Sequence, residues 1–144
     1  MLLRGKPAKD WTRGDLPAII GEPERGKSLE FKRDLRLATA EEKEEFLTDV
    51  TSFANAAGGH ILYGVAEEGG LAAAVPGFRP AGSMDELLQQ IENLVRDRVE
   101  PRLRGLGLHP VQMADGNWAL IVEVPRSWSG PHAVRGQHNS YRFY

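Results

Sequence analysis

The sequence predicts an α+β domain in which a mixed or antiparallel sheet of about five to six strands packs against two main helices. Three observations carry that reading. Two stretches, Thr39 to Ala57 and Ser83 to Pro101, carry apolar residues at helical spacing behind a Thr or Ser that is followed three positions later by Glu. Several short runs alternate apolar and polar residues, and glycine pairs and an Asp-Gly pair fall between them. The chain has 144 residues, 41% hydrophobic and 26% charged, which suits one core and is tight for two.

Taken in order, residues 1–20 carry Pro7, Gly14 and Pro17 and little periodicity, so they read as an N-terminal arm with one short helical turn near Asp15 to Ile20. Order there must come from docking onto the domain, residues 21–144. Ser28 to Leu35 alternates as a half-buried strand that puts Glu30 and Lys32 on one polar face. Thr39 with Glu42 makes a capping box. Glu41, Glu42, Glu44 and Glu45 sit at the positive end of the helix dipole, and Phe46, Val50, Phe53, Ala54 and Ala57 line one face. Asn55 lies in the last turn. Gly58 suits a left-handed cap and Gly59 a tight reversal into a buried strand from His60 to Val65 that contains Gly64. That strand must pack close to the helix.

Glu67 to Gly70 reads as a turn and Leu71 to Val75 as a return strand. Ser83 with Glu86 makes a second capping box before the stripe Leu87, Leu88, Ile91, Leu94 and Val95, and Pro101 ends that helix. Leu106 to Met113 and Trp118 to Val124 form a hairpin across Asp115-Gly116. Arg126 to Gly136 reads as a loop and Ser140 to Tyr144 as a last strand.

Composition excludes several chemistries. There is no cysteine, so disulfides, thiolate metal sites and cysteine nucleophiles are absent. His60, His109, His132 and His138 are widely separated, and a zinc site would need the fold to gather them. No run is long enough to span a membrane and no signal segment opens the sequence, so no membrane partner and a cytoplasmic location are expected. A phosphate loop runs strand, glycines, helix, whereas Gly58-Gly59 follow a helix and precede a strand. No nucleotide cofactor is expected.

The net charge of −2 is unevenly spread. Met1 to Leu37 holds nine Lys and Arg against six acids, Ala38 to Val95 two against ten, and the remainder seven against four. If the basic ends converge, they form a face for phosphate whatever the total charge. The candidates are Arg25, Lys27, Lys32, Arg33 and Arg36 around the first strand, and Arg126, Arg135 and Arg142 near the end. Trp128, Tyr141, Phe143 and Tyr144 lie among the second group, a mixture suited to phosphate contact and base stacking. The same aromatics equally suit a core or a sheet edge. Glu30 with Glu67 or Glu68 could bind a divalent cation if the fold brought them together; otherwise they are a strand residue paired with a nearby base and a solvated turn.

The strings LEFK at Leu29 to Lys32, SFANAAGGHILYGVAEEGG at Ser52 to Gly70 and LIVEVPRSWSGPHAV at Leu120 to Val134 resemble the Schlafen-type AlbA-like family of domains described as DNA-binding. The resemblance runs from about Gly21 to the end. It implies an α+β domain that binds DNA or RNA, often joined to a regulator or ATPase module; together with the basic ends and the incomplete carboxylate set described next, the leading expectation is a non-catalytic role of the transcriptional-regulator type. Some Schlafen relatives are metal-dependent endoribonucleases with three carboxylates. Glu30 matches one and Glu67 looks like a second, where relatives often have Asp. The third is expected at Arg25, with Glu24 one step away, so the set is broken. Mg or Mn enters only with the nuclease reading. Relatives also continue past the last strand with an Arg-x-Gly element, whereas this sequence stops at Tyr144, from which a shortened chain is expected. A third reading is a dimerisation or protein-docking module using the acidic helix face from Glu41 to Glu45.

Overall fold

The computed structural model describes residues 5–25, 28–136 and 140–144. Lys27 and His138, named above, lie outside the described residues. Nine strands and two α-helices are present among the described residues: β1 (Leu29–Lys32), α1 (Ala40–Asn55), β2 (Gly59–Tyr63), β3 (Ala66–Glu68), β4 (Leu71–Ala74), α2 (Met84–Arg98), β5 (Val99–Glu100), β6 (Gly107–Gln112), β7 (Trp118–Val124), β8 (Ala133–Arg135) and β9 (Tyr141–Phe143). The architecture is α+β, as the sequence predicts.

Both helices begin where their side chains cap them. The Thr39 hydroxyl accepts the Glu42 N–H at 3.1 Å while the Glu42 carboxylate accepts the Thr39 N–H at 2.9 Å. At α2 the exchange is one-sided. The Ser83 hydroxyl accepts the Glu86 N–H at 3.0 Å, but the Glu86 carboxylate takes the Ser83 hydroxyl proton instead of its backbone N–H.

The strands are divided among three ladders. The central sheet runs β1-β2-β7-β6, with β1 parallel to β2 and the other pairs antiparallel; β3-β4 is a separate hairpin and β5-β8-β9 a separate edge ladder. Gly64, at φ 97°, turns the chain out of the central sheet after β2, which is why β3 starts a new ladder. The stretch read as a loop from Arg126 to Gly136 contains β8, whose partners are β5 and β9. Three residues set among Gly, Pro and Ser give no local strand signal, so only distant pairing makes them one.

Apolar residues cover both faces of the central sheet. One face carries Ile61, Tyr63, Leu120 and Val122 against Phe46, Val50 and Phe53 of α1 and Leu87, Ile91 and Val95 of α2. The other carries Leu29, Phe31, Leu62, Ala119 and Ile121 against Ala8, Trp11, Leu16 and Ile19. This explains why β2 is buried at every position and shows no alternation. Residues 8–19 of the arm thus supply four buried side chains to this second cluster, with 3-10 turns at Ala8–Asp10 and Arg13–Ile19.

Gly58 and Gly59 set how closely the layers approach. The Gly58 N–H caps α1 by donating to the Phe53 carbonyl at 2.8 Å. A Cβ on Gly59 would lie 2.4 Å from the Ser28 carbonyl oxygen, so only glycine lets the two strands close up just before Leu29 pairs with His60.

Candidate nucleic-acid interface

The edge ladder is the most aromatic exposed surface. Within it Arg135 pairs with Tyr141 and Ala133 with Phe143. Strand alternation therefore places Arg135, Tyr141 and Phe143 on one face, with Arg142 and the core residue Val134 on the other. Tyr141 is 51% exposed, Phe143 64% and Trp128, in the loop before β8, 82%. The Arg126 guanidinium lies over the Trp128 ring, 4.1 Å from its centre. A large apolar ring left in water beside a guanidinium offers a stacking surface with a phosphate contact next to it.

One amide ties this ladder to the helix. The Asn55 side chain accepts the His132 N–H at 2.7 Å and donates to the carbonyls of His132 at 2.9 Å and Tyr144 at 3.1 Å. The His132 ring is fully buried, with Nδ1 2.6 Å from the Pro101 carbonyl oxygen and Nε2 2.5 Å from the Ser127 hydroxyl. The carbonyl can only accept, so Nδ1 carries the proton and Nε2 receives the hydroxyl proton. Arg98 supports the ladder from α2 by donating to the Arg135 carbonyl and pairing with Glu44 at 2.9 Å, and Tyr144 donates its phenol proton to Glu44 at 2.9 Å.

The candidate cations divide between the two ends of the central sheet. Arg25, paired with Glu22 at 3.6 Å, and Arg126 lie where β1 and β2 begin and β7 ends, whereas Lys32, Arg33 and Arg36 lie at or beyond the end of β1. Lys32 is enclosed by Glu30 at 3.4 Å, Glu45 at 3.5 Å and Asp49 at 3.6 Å. Burial alone would lower its pKa, but Asp49, Glu30 and Glu45 outweigh that and hold it above the ordinary lysine value. Burial raises Asp49 to about 6, with Glu30 and Glu45 adding to the rise and Lys32 opposing it. The Tyr63 phenol, pushed well above its ordinary range by burial, borders the same pocket and its oxygen has no hydrogen-bond partner among the described residues.

The three candidate nuclease carboxylates are occupied separately. Glu24 accepts the Phe31 N–H at 2.9 Å, Glu67 accepts the Gly70 N–H at 2.9 Å, and Glu30 faces Lys32. Among the described residues no group of three or more His, Asp or Glu side chains could hold a metal ion. Two histidines are gathered by the fold: His60 and His109 each place Nε2 3.3 Å from one oxygen of Glu123. Burial lowers the pKa of His60, with Glu123 opposing.

Sequence reasoning did not single out Asp49, Ser127, Arg79 or Asn117. The PHAV string carried a signal for His132, but the others acquire their surroundings only from packing of distant segments.

A small α+β domain with an aromatic and basic edge ladder hung from its first helix is the class that these features define. The sequence matches the family described as Schlafen, AlbA_2 over residues 26–144, and the chain belongs to that family. Among solved structures it is similar to the N-terminal domain of a RecG-related protein from Nitrosomonas europaea, at 19% identity and a TM-score of 0.57, covering 95% of this chain and 88% of that one. The DIP2311 protein from Corynebacterium diphtheriae matches at 17% identity and a TM-score of 0.46, over 82% of this chain and 22% of that one. No curated protein sequence matches the chain.

Proposed function

We propose that this domain binds nucleic acid without cleaving it, through the face formed by Arg126, Trp128, Arg135, Tyr141 and Phe143. The single observation that carries the reading is the exposure of large aromatic rings beside arginines, Tyr141 and Phe143 with Arg135 on the edge ladder and Trp128 under Arg126 in the loop before it. Membership of the Schlafen, AlbA_2 family and the fold shared with a domain of a RecG-related protein support a nucleic-acid role. Engagement of Glu24 and Glu67 with backbone N–H groups supports binding over cleavage. The protein-docking alternative is weaker because Glu42, Glu44 and Glu45 of the acidic helix face are already bonded within the chain. A cytoplasmic regulator of transcription is the setting we infer, with DNA or RNA as ligand.

Tryptophan fluorescence titrated with single- and double-stranded DNA and RNA tests this. Affinity should fall steeply with salt, and Trp128→Ala should weaken binding about tenfold, since one stacked base contributes roughly 1–3 kcal/mol. Absence of binding at low salt, or a variant that binds as tightly as the parent, would overturn the assignment. Cleavage of tRNA in Mn or Mg that Glu30→Gln abolishes would establish the nuclease reading instead. Light scattering that finds dimers with no nucleic-acid affinity would establish the docking reading.

A further inference from the structure

The end of β1 opposite the Trp128 loop carries a second basic feature. An open pocket of about 440 Å³ is lined by Arg33, Asp34, Arg36, Gly77, Phe78, Arg79 and Asn117. Three guanidinium groups and one carboxylate leave this pocket with two positive charges in a chain whose net charge is −2. The carboxylate is already committed. Asp34 accepts the Leu35 N–H through Oδ1 at 2.8 Å and holds the Arg36 Nε through Oδ2 at 2.9 Å, which leaves the Arg36 Nη groups free of that contact. Glu42, the acid whose charge reaches Arg36, is bonded to the Ala38 and Thr39 N–H groups. Arg33 has no ion-pair or hydrogen-bond partner among the described residues.

The pocket is built on a fixed frame. Phe78 is buried and exchanges two backbone hydrogen bonds with Trp118, at 2.8 and 2.9 Å, while the Gly77 N–H donates to the Gly64 carbonyl at 2.9 Å. Arg79 is thereby set beside Asn117, whose side-chain oxygen accepts from its Nη2 at 3.3 Å and whose side-chain nitrogen donates to the Pro76 carbonyl at 3.3 Å. Arg36 and Arg79 are held by these partners while Arg33 is left available, and planar guanidinium forks match the oxygens of a phosphate better than ammonium groups do. Two net positive charges match the dianion of a phosphate monoester, about −1.5 to −2 at neutral pH, better than the single charge of an internal phosphodiester.

We propose that the pocket of Arg33, Arg36 and Arg79 receives a phosphate monoester, the terminal phosphate of a nucleic-acid strand. The choice of a strand as the source rests on the binding reading above; the chemistry of the pocket does not. A free nucleotide 5′-monophosphate presents the same group.

Three probes separate these sources: a 5′-phosphorylated single-stranded oligonucleotide, the same oligonucleotide with a 5′-hydroxyl, and a nucleoside 5′-monophosphate. Binding is measured by calorimetry, together with NMR shifts of the arginine Nε–H signals. The phosphorylated strand should bind about tenfold more tightly than the hydroxyl strand, the effect of one additional charge-assisted contact. The double substitution Arg33→Ala with Arg79→Ala should abolish that preference, so that the phosphorylated and hydroxyl strands bind equally. Arg79→Lys, which keeps the charge but loses the fork, should retain only part of it. Thermal melting of each variant confirms folding. Equal affinity of the parent for both strand ends, or a preference that survives the double substitution, overturns the proposal. Monophosphate binding that depends on Arg79, without binding of either strand, upholds the pocket while overturning both the strand source and the nucleic-acid reading.

Discussion

Asp49 and Lys32 form a pair whose charge is fixed by burial as much as by contact. Asp49 has a folded pKa of about 6 against an ordinary 3.8, so the folded protein holds that proton more tightly than the unfolded chain does. Below about pH 4 both states are protonated and burial of the group carries no ionisation penalty. As the pH rises through the window from about 4 to 6, the unfolded chain ionises first and the fold loses stability relative to it. Asp49→Asn removes this dependence, so its stability relative to the parent should rise between about pH 4.5 and pH 7.5 in urea titrations. Parallel curves would show that Asp49 is ionised throughout. Asn55 makes a different prediction, since its side chain serves one N–H and two carbonyls. Asn55→Ala should cost about 2–3 kcal/mol by the same measurement, because the His132 N–H is left without its acceptor. The residue types at both positions were visible in the sequence, but their work was not. Asn55 meets a partner 77 positions away, and Asp49 is buried only once β1 and α1 come together.

Elements with local causes were the legible ones. α1 starts at Ala40 because Thr39 and Glu42 exchange hydrogen bonds three residues apart, a pattern complete within four letters of sequence. Thr39→Ala should cost about 1 kcal/mol in chemical denaturation. A loss indistinguishable from zero would mean that the packing of Phe46 and Val50, and not the cap, defines where the helix begins. The hairpin of β6 and β7 was equally legible because Asp115-Gly116 supplies its own turn. β8 was not, since its pairing with β5 and β9 comes from contacts across the chain. The candidate interface inherits that opacity. Its aromatics could be named from the sequence, but their exposure depends on a ladder that no local pattern announces.

At the scale of the whole molecule, the central sheet is covered by helices on one side and by residues 8–19 on the other. Removing residues 5–20 uncovers Leu29, Phe31, Leu62 and Ile121, four apolar side chains that are now buried. Such a chain should unfold at lower urea concentration, with a shallower slope, and should bind a hydrophobic dye in its folded state. Unchanged unfolding would show that the covering segment contributes nothing. The family match begins at residue 26, beyond that segment. The residues matched by the family and the residues that cover the sheet therefore have different borders. A chimera spliced at the family border would transplant the recognisable cassette with one side of its sheet bare, and the host protein would have to furnish a substitute lining before the graft could stand alone.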